Sequence, residues 1–202
     1  MKCRMTLTVR PLYPCPAADP VLQATESFGR DVERHALFDT GARPSSTALS
    51  ITRDRVQQRL DLCERTHLLC QSSRKLSGAL PTRILDLTDC HKTGAISLKL
   101  IRQLPNRHSL RYATLSHCWG ERKPPQLKVR NFGSFSRGIP LRDLPSVFAQ
   151  AVEVASSLGL DYLWIDSLCI IQDSPADWRN ECRSMSDIYR GSYVNIGSNA
   201  SA

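Results

Sequence analysis

Arg111-Tyr-Ala-Thr-Leu-Ser-His-Cys-Trp-Gly120 and, further on, Tyr162-Leu-Trp-Ile-Asp-Ser-Leu-Cys-Ile170 decide how this chain folds. In the first stretch Leu110, Tyr112 and Thr114 alternate with Ala113 and Leu115, the period of a strand, until Ser116, His117, Trp119 and Gly120 break it. The second holds four bulky residues in a row, Tyr162 to Ile165, which suits a strand covered on both faces, and Asp166 follows at once. Both strands therefore end by delivering polar side chains. In open α/β sheets ligands bind beyond the carboxyl ends of the strands, so these two ends are the first place to look for function.

Working outward, Leu144-Pro145-Ser146 opens a helix with proline near its first turn. Its apolar positions are Val147, Phe148, Ala151, Val152, Ala155 and Leu158, and Gly159 stands where a C-cap is expected. Ser174-Pro-Ala-Asp177 is a capping box that starts a second helix, with Trp178, Cys182, Met185 and Tyr189 as its predicted buried stripe and Glu181 on the flank. A carboxylate there is either a rim charge paired with Arg179 or Arg183, or a partly desolvated group. Leu80–Leu87, Ile96–Leu100 and Tyr193–Ile196 read as further strands. The expected fold is α/β, a mainly parallel sheet flanked by helices in three layers, with an irregular N-terminal extension.

Residues 1–50 carry prolines at 11, 14, 16, 20 and 44 and few periodic apolar positions, apart from a short helical pattern near 30–38; this part reads as a poorly ordered lead-in. The run Glu121–Gln126, then Asn131–Gly138, is basic and rich in Pro, Gly and Ser, and is expected to be a flexible loop beside the strand end, suited to act as a lid.

No apolar run approaches the roughly 18 residues that a membrane span needs, and the first ten residues lack a secretory core. The chain is read as cytoplasmic, without a membrane partner. Its net charge is +8, but the basic residues crowd 99–142 and the acidic ones 153–187, which fits two solvated faces. No recognition motif or aromatic-interleaved basic stripe supports a specific nucleic-acid partner.

The eight cysteines are scattered and read as core thiols or ligands, not as a disulfide framework. Val56, Leu60, Cys63, His67 and Cys70 fall on one helical stripe, and Cys90 could complete a tetrahedral zinc site with Cys63, His67 and Cys70. A helix must bury that same stripe, which small thiols suit without a metal, so the adopted expectation is that no metal binds.

Several pieces in order resemble the fungal heterokaryon-incompatibility (HET) family: Leu80-Pro-Thr-Arg83, Tyr112–Gly120, Leu144-Pro145, Leu163–Asp173, Asp177-Trp178, Glu181, Met185 and Ile188-Tyr189. The resemblance covers about 55–202 and implies a HET domain over 51–202, including its N-terminal helix, that stops at Ala202 before the family's usual glycine-containing segment. It implies a role in non-self recognition that ends in growth arrest or cell death. HET domains are in turn similar to TIR domains, in which a glutamate supports NAD-glycohydrolase activity. That likeness implies Glu181 and Asp166 as catalytic carboxylates, with Ser116, His117, Trp119, Gly120 and Trp178 shaping the binding pocket. NAD enters as substrate, with no prosthetic group. The alternative is a module without chemistry that signals by self-association or through a partner signalling domain.

Overall fold

The structure, a computed structural model, describes residues 3–6, 46–66, 80–105, 107–119 and 123–200. In chain order the main elements are β1 (Cys3–Thr6), α1 (Ser46–Thr66), β2 (Arg83–Asp86), α2 (Cys90–Thr93), β3 (Ala95–Leu100), β4 (Ala113–His117), α3 (Phe132–Arg137), β5 (Ile139–Pro140), α4 (Ser146–Ser157), β6 (Tyr162–Ile165), α5 (Asp166–Cys169), α6 (Pro175–Gly191) and β7 (Val194–Ala200). Among the described residues the strands form one sheet in the order β1-β7-β4-β6-β2-β3-β5.

The expected α/β class holds, and the two deciding strands lie side by side: β4 runs parallel to β6, with Thr114 opposite Trp164. On its other edge β4 runs parallel to β7, with Thr114 opposite Asn195. The sheet as a whole is mixed. The parallel trio at its centre is bordered by antiparallel strands, β2 on β6, β3 on β2, β5 on β3 and β1 on β7. Parallel pairing is confined to strands linked through long helices, as it must be, because a parallel pair needs a crossover. Where the link is as short as α2, β2 and β3 pair antiparallel.

Alternation along β4 assigns the layers. His117, in phase with Ala113 and Leu115, meets the Phe148 ring of α4 edge-on at 5.0 Å. On the opposite face the Tyr112 hydroxyl donates to Ile188 O at 2.7 Å, and Trp164 packs edge-on against Tyr189 at 5.5 Å. The helices α4 and α6 thus cover opposite faces. That is why Leu163, Trp164 and Ile165 are all fully buried, as their unbroken apolar run requires. The start of α6 follows the sequence: Ser174 caps it by accepting from Asp177 N, with Pro175 just inside. Gly159 beyond α4 has φ +70, a left-handed conformation that favours glycine. Helix α1 docks through the buried Val56 and Leu60, and Glu64 pairs with Arg111 at 3.3 Å.

Three expectations need correction or limits. First, 123–138 is not a loose lid. Leu127 is fully buried, its N–H donates to Ser167 O at 2.8 Å and its carbonyl accepts from Gln172 N at 2.9 Å. Residues 132–137 form α3, whose Phe132 and Phe135 pack on the core. Three apolar side chains and two backbone bonds hold a stretch that composition marked as free. Second, the sequence placed Trp178 in the buried stripe of α6 and Glu181 on its flank; Trp178 is 49% exposed and Glu181 only 4%. Third, within the expected irregular lead-in Cys3–Thr6 form a strand, while the helical pattern near 30–38 lies outside the described residues. Among the described residues no helix is long and apolar enough to cross a membrane.

Candidate functional site

The carboxyl ends of β4 and β6 bring Ser116, His117, Trp119 and Asp166 to one edge of the sheet, and the first turns of α6 bring Glu181 against it from the Tyr112 face. Asp166 is the pivot. One of its oxygens accepts from Ser167 N at 2.6 Å, closing the short turn α5, and the other accepts from Trp119 Nε1 at 3.1 Å. The turn-capping role expected of an aspartate at a strand end is therefore real, but it uses only one oxygen. The second ties down the tryptophan that follows β4.

His117 faces the other way, toward Phe148. Burial lowers its pKa from the ordinary 6.5, and the nearby Asp166 charge opposes that shift without cancelling it. Both ring nitrogens are buried and have no hydrogen-bond partner among the described residues. The imidazole is thus kept neutral with both nitrogens unused, a costly state for a buried polar group. Ser116 turns to the face covered by α6. Its Oγ donates to Asn195 Oδ1 at 3.2 Å, and Thr114 Oγ1 lies 3.2 Å from the same oxygen. Tyr189 closes this side by donating to Leu115 O at 3.3 Å, and burial pushes its hydroxyl up to about 12.

Glu181 owes its burial to Arg83, which is 4% exposed at the start of β2. Its guanidinium reaches past the end of β6, where Nε donates to Cys169 O at 2.6 Å and Nη2 donates to Asp177. The same nitrogen lies 3.9 Å from Glu181 Oε1. Asp177 is further held by Ile171 N at 2.8 Å. Asp177 and Glu181 stand one helical turn apart, so one arginine serves both carboxylates. It serves them unequally: Asp177 has short contacts, whereas Glu181 is at the limit of an ion pair and its Oε2 has no partner among the described residues. Sequence reading carried Arg83 as part of a strand and a family motif, and Asp177 as a cap and part of that motif, and assigned neither a role in the site. The available signal was a lone arginine opening the apolar strand Arg83-Ile-Leu.

Cys169 lies within reach of the charges of Arg83, Glu181 and Asp166, yet complete burial dominates and pushes its thiol up to about 12. It is a core thiol, not a nucleophile for His117 to activate. Cys118, beside His117, is exposed. Trp178 stands outside this cluster, over an open groove of about 580 Å3 that it lines with Gln172, Asp173, Pro175 and Arg179. Gly120 lies outside the described residues. Of the zinc candidates, His67 and Cys70 also lie outside them, the side chain of Cys63 is not described, and Cys90 is buried with Sγ 3.6 Å from Ser156 Oγ. Among the described residues no three His, Cys, Asp or Glu side chains are grouped to hold a metal.

With this geometry in hand, residues 112–202 match the family model described as "Heterokaryon incompatibility protein (HET)". The match covers just under half of the chain, including both deciding strands, α4, α6 and β7, and supports a heterokaryon-incompatibility domain over that part. No curated protein and no solved structure matches the chain.

Proposed function

We propose that this chain is an effector domain of fungal non-self recognition, of the heterokaryon-incompatibility type, whose action ends in growth arrest or cell death, and that it acts by hydrolysing the bond between nicotinamide and ribose in NAD. The match over 112–202 supports the first half of this reading. The second half is carried by Glu181, a carboxylate 4% exposed whose Oε2 has no partner among the described residues. An uncompensated buried oxygen costs stability, and costs of this kind gather at functional sites.

In the proposed reaction the C1′–N bond breaks with both electrons going to the pyridinium nitrogen, so nicotinamide leaves neutral and positive charge develops at C1′. Glu181, 4% exposed, stabilises that charge where the surroundings screen it little. Water then adds to C1′ and gives up its proton. Asp166, at the carboxyl end of β6, is the group suited to accept it.

The test is incubation of the purified chain with NAD and detection of free nicotinamide. The Glu181→Gln variant keeps shape and loses charge, so release should fall about a hundredfold or more while the fold persists. Absence of nicotinamide release, from this chain and from a HET protein with a longer C-terminal region, would replace the hydrolase reading with a module that signals by self-association.

A further inference from the structure

We infer that the groove beside Trp178 is a binding subsite for an amino-bearing purine nucleotide, with the base stacked on the indole and the phosphate on Arg179. The groove lies outside the Glu181 cluster and is formed where the chain leaves α5 and enters α6. It is open to solvent along the start of α6, with a volume of about 580 Å3.

Four observations select the ligand. Trp178 is 49% exposed and lines the groove, a free π-face on which a planar ring removes apolar surface from water on both sides. Gln172 donates its side-chain amide to two backbone carbonyls, Asp166 O at 3.3 Å and Ile170 O at 3.1 Å. Only the NH2 group can satisfy two acceptors, so the amide orientation is fixed and Oε1 is what Gln172 has left to offer. Asp173 adds a carboxylate, one oxygen of which is occupied by Val129 N at 2.9 Å. The groove thus presents acceptors, which favour a ring carrying an exocyclic amine over one carrying an oxo group. Arg179 uses Nε on Pro175 O at 3.1 Å, and its terminal nitrogens are suited to a phosphate. A planar ring, an amine and an anion together describe adenosine monophosphate better than they describe a peptide.

Gln172 also links the groove to the pivot of the site, since one of its acceptors is the carbonyl of Asp166. As half of a dinucleotide, the adenylate deepens the NAD reading and rests on it for the identity of the larger ligand. The base-binding claim itself is tested with adenosine monophosphate, which has no nicotinamide bond, so the two readings fail separately.

The experiment is calorimetric titration of the full chain with adenosine monophosphate, inosine monophosphate and adenosine. Adenosine monophosphate should bind with a Kd below about 1 mM. Trp178→Ala should weaken binding about tenfold or more, and Trp178→Phe, which keeps a π-face, no more than about threefold. Arg179→Gln should weaken the monophosphate and leave adenosine unchanged. Inosine monophosphate, with an oxo group facing Gln172 Oε1, should bind about fivefold weaker or worse. Trp178 and Arg179 are exposed, so these variants should keep the parent's denaturation midpoint, which is measured alongside. Absence of binding at several times 1 mM, binding indifferent to Trp178→Ala, or equal affinity for the adenosine and inosine nucleotides would each overturn the inference.

Discussion

Replacing Arg83 by Met tests whether the charge cluster beneath α6 is built as its distances imply. The parent arginine answers Cys169 O, Asp177 and Glu181 from a position 4% exposed. Met keeps most of the length and apolar stem and removes the charge, so both carboxylates lose their counter-ion while staying in place. Removing one partner of a buried ion pair costs about 3–5 kcal/mol, a large part of the roughly 5–15 kcal/mol that holds a domain together. Glu181→Gln should behave quite differently. At 3.9 Å the attraction to Arg83 is worth about 4 kcal/mol at an effective dielectric near 20, but the desolvation of a carboxylate this buried costs several kcal/mol per ion. The two nearly cancel, and Arg83 keeps its better partners, so Glu181→Gln should change stability by no more than about 1 kcal/mol.

The double variant Arg83→Met with Glu181→Gln removes one of the two orphaned charges and should recover about 1–2 kcal/mol relative to Arg83→Met alone. Urea unfolding followed by fluorescence and circular dichroism together reads all three. With a slope near 2 kcal/mol per M, Arg83→Met should lower the midpoint by about 2 M. The reasoning fails if Arg83→Met stays within about 1 kcal/mol of the parent, or if Glu181→Gln costs as much as Arg83→Met. The second outcome would also make Glu181 a structural group and remove the main support for its catalytic role.

Two further outcomes follow from the site. Burial lowers the His117 pKa below 6.5, so on acidification the unfolded chain binds a proton that the folded chain resists. The stability tied to this group is full above the unfolded value and is lost as pH falls below it toward the folded value; His117→Gln should therefore shrink the drop in Tm between about pH 7.5 and about pH 5, and an unchanged drop would show that the ring is not held neutral. Among Cys90, Cys118, Cys169 and Cys182, iodoacetamide at mildly alkaline pH should label Cys118 first, because it alone of these is exposed, and should leave Cys169, pushed up to about 12, until the chain unfolds. Peptide mass spectrometry reads the order, and early labelling of Cys169 would contradict its burial.

What the sequence revealed of the fold was what its short-range patterns encode. Alternation located β4, an unbroken apolar run located β6, and a capping serine with proline placed the start of α6. The antiparallel margins were less legible, because pairing direction depends on which strand lies alongside which. The ordering of 123–137 was missed for a related reason. Composition averages over a window, whereas the segment is held by particular residues: Leu127, Phe132 and Phe135 pack on the core, and Leu127 and Val129 bond to Ser167, Gln172 and Asp173, about forty positions later.

The inversion on α6 shows why the site was only half legible. A helical wheel ranks residues by their own hydropathy, and on that basis Trp178 goes in and Glu181 goes out. The structure reverses them because burial of a charge is decided by its partner, and the partner, Arg83, stands 94 positions before Asp177. Once Arg83 is drawn under α6 by Cys169 O and by Asp177, itself held by Ile171 N, the face bearing Asp177 and Glu181 turns inward and Trp178 is carried toward solvent. The same rotation produces both features from which function is argued: a buried carboxylate with one unanswered oxygen, and an exposed indole over a groove. Neither exists on the wheel that hydropathy alone would draw, so the residues that make this helix look wrong as an amphipathic helix are the ones that make it a candidate for chemistry.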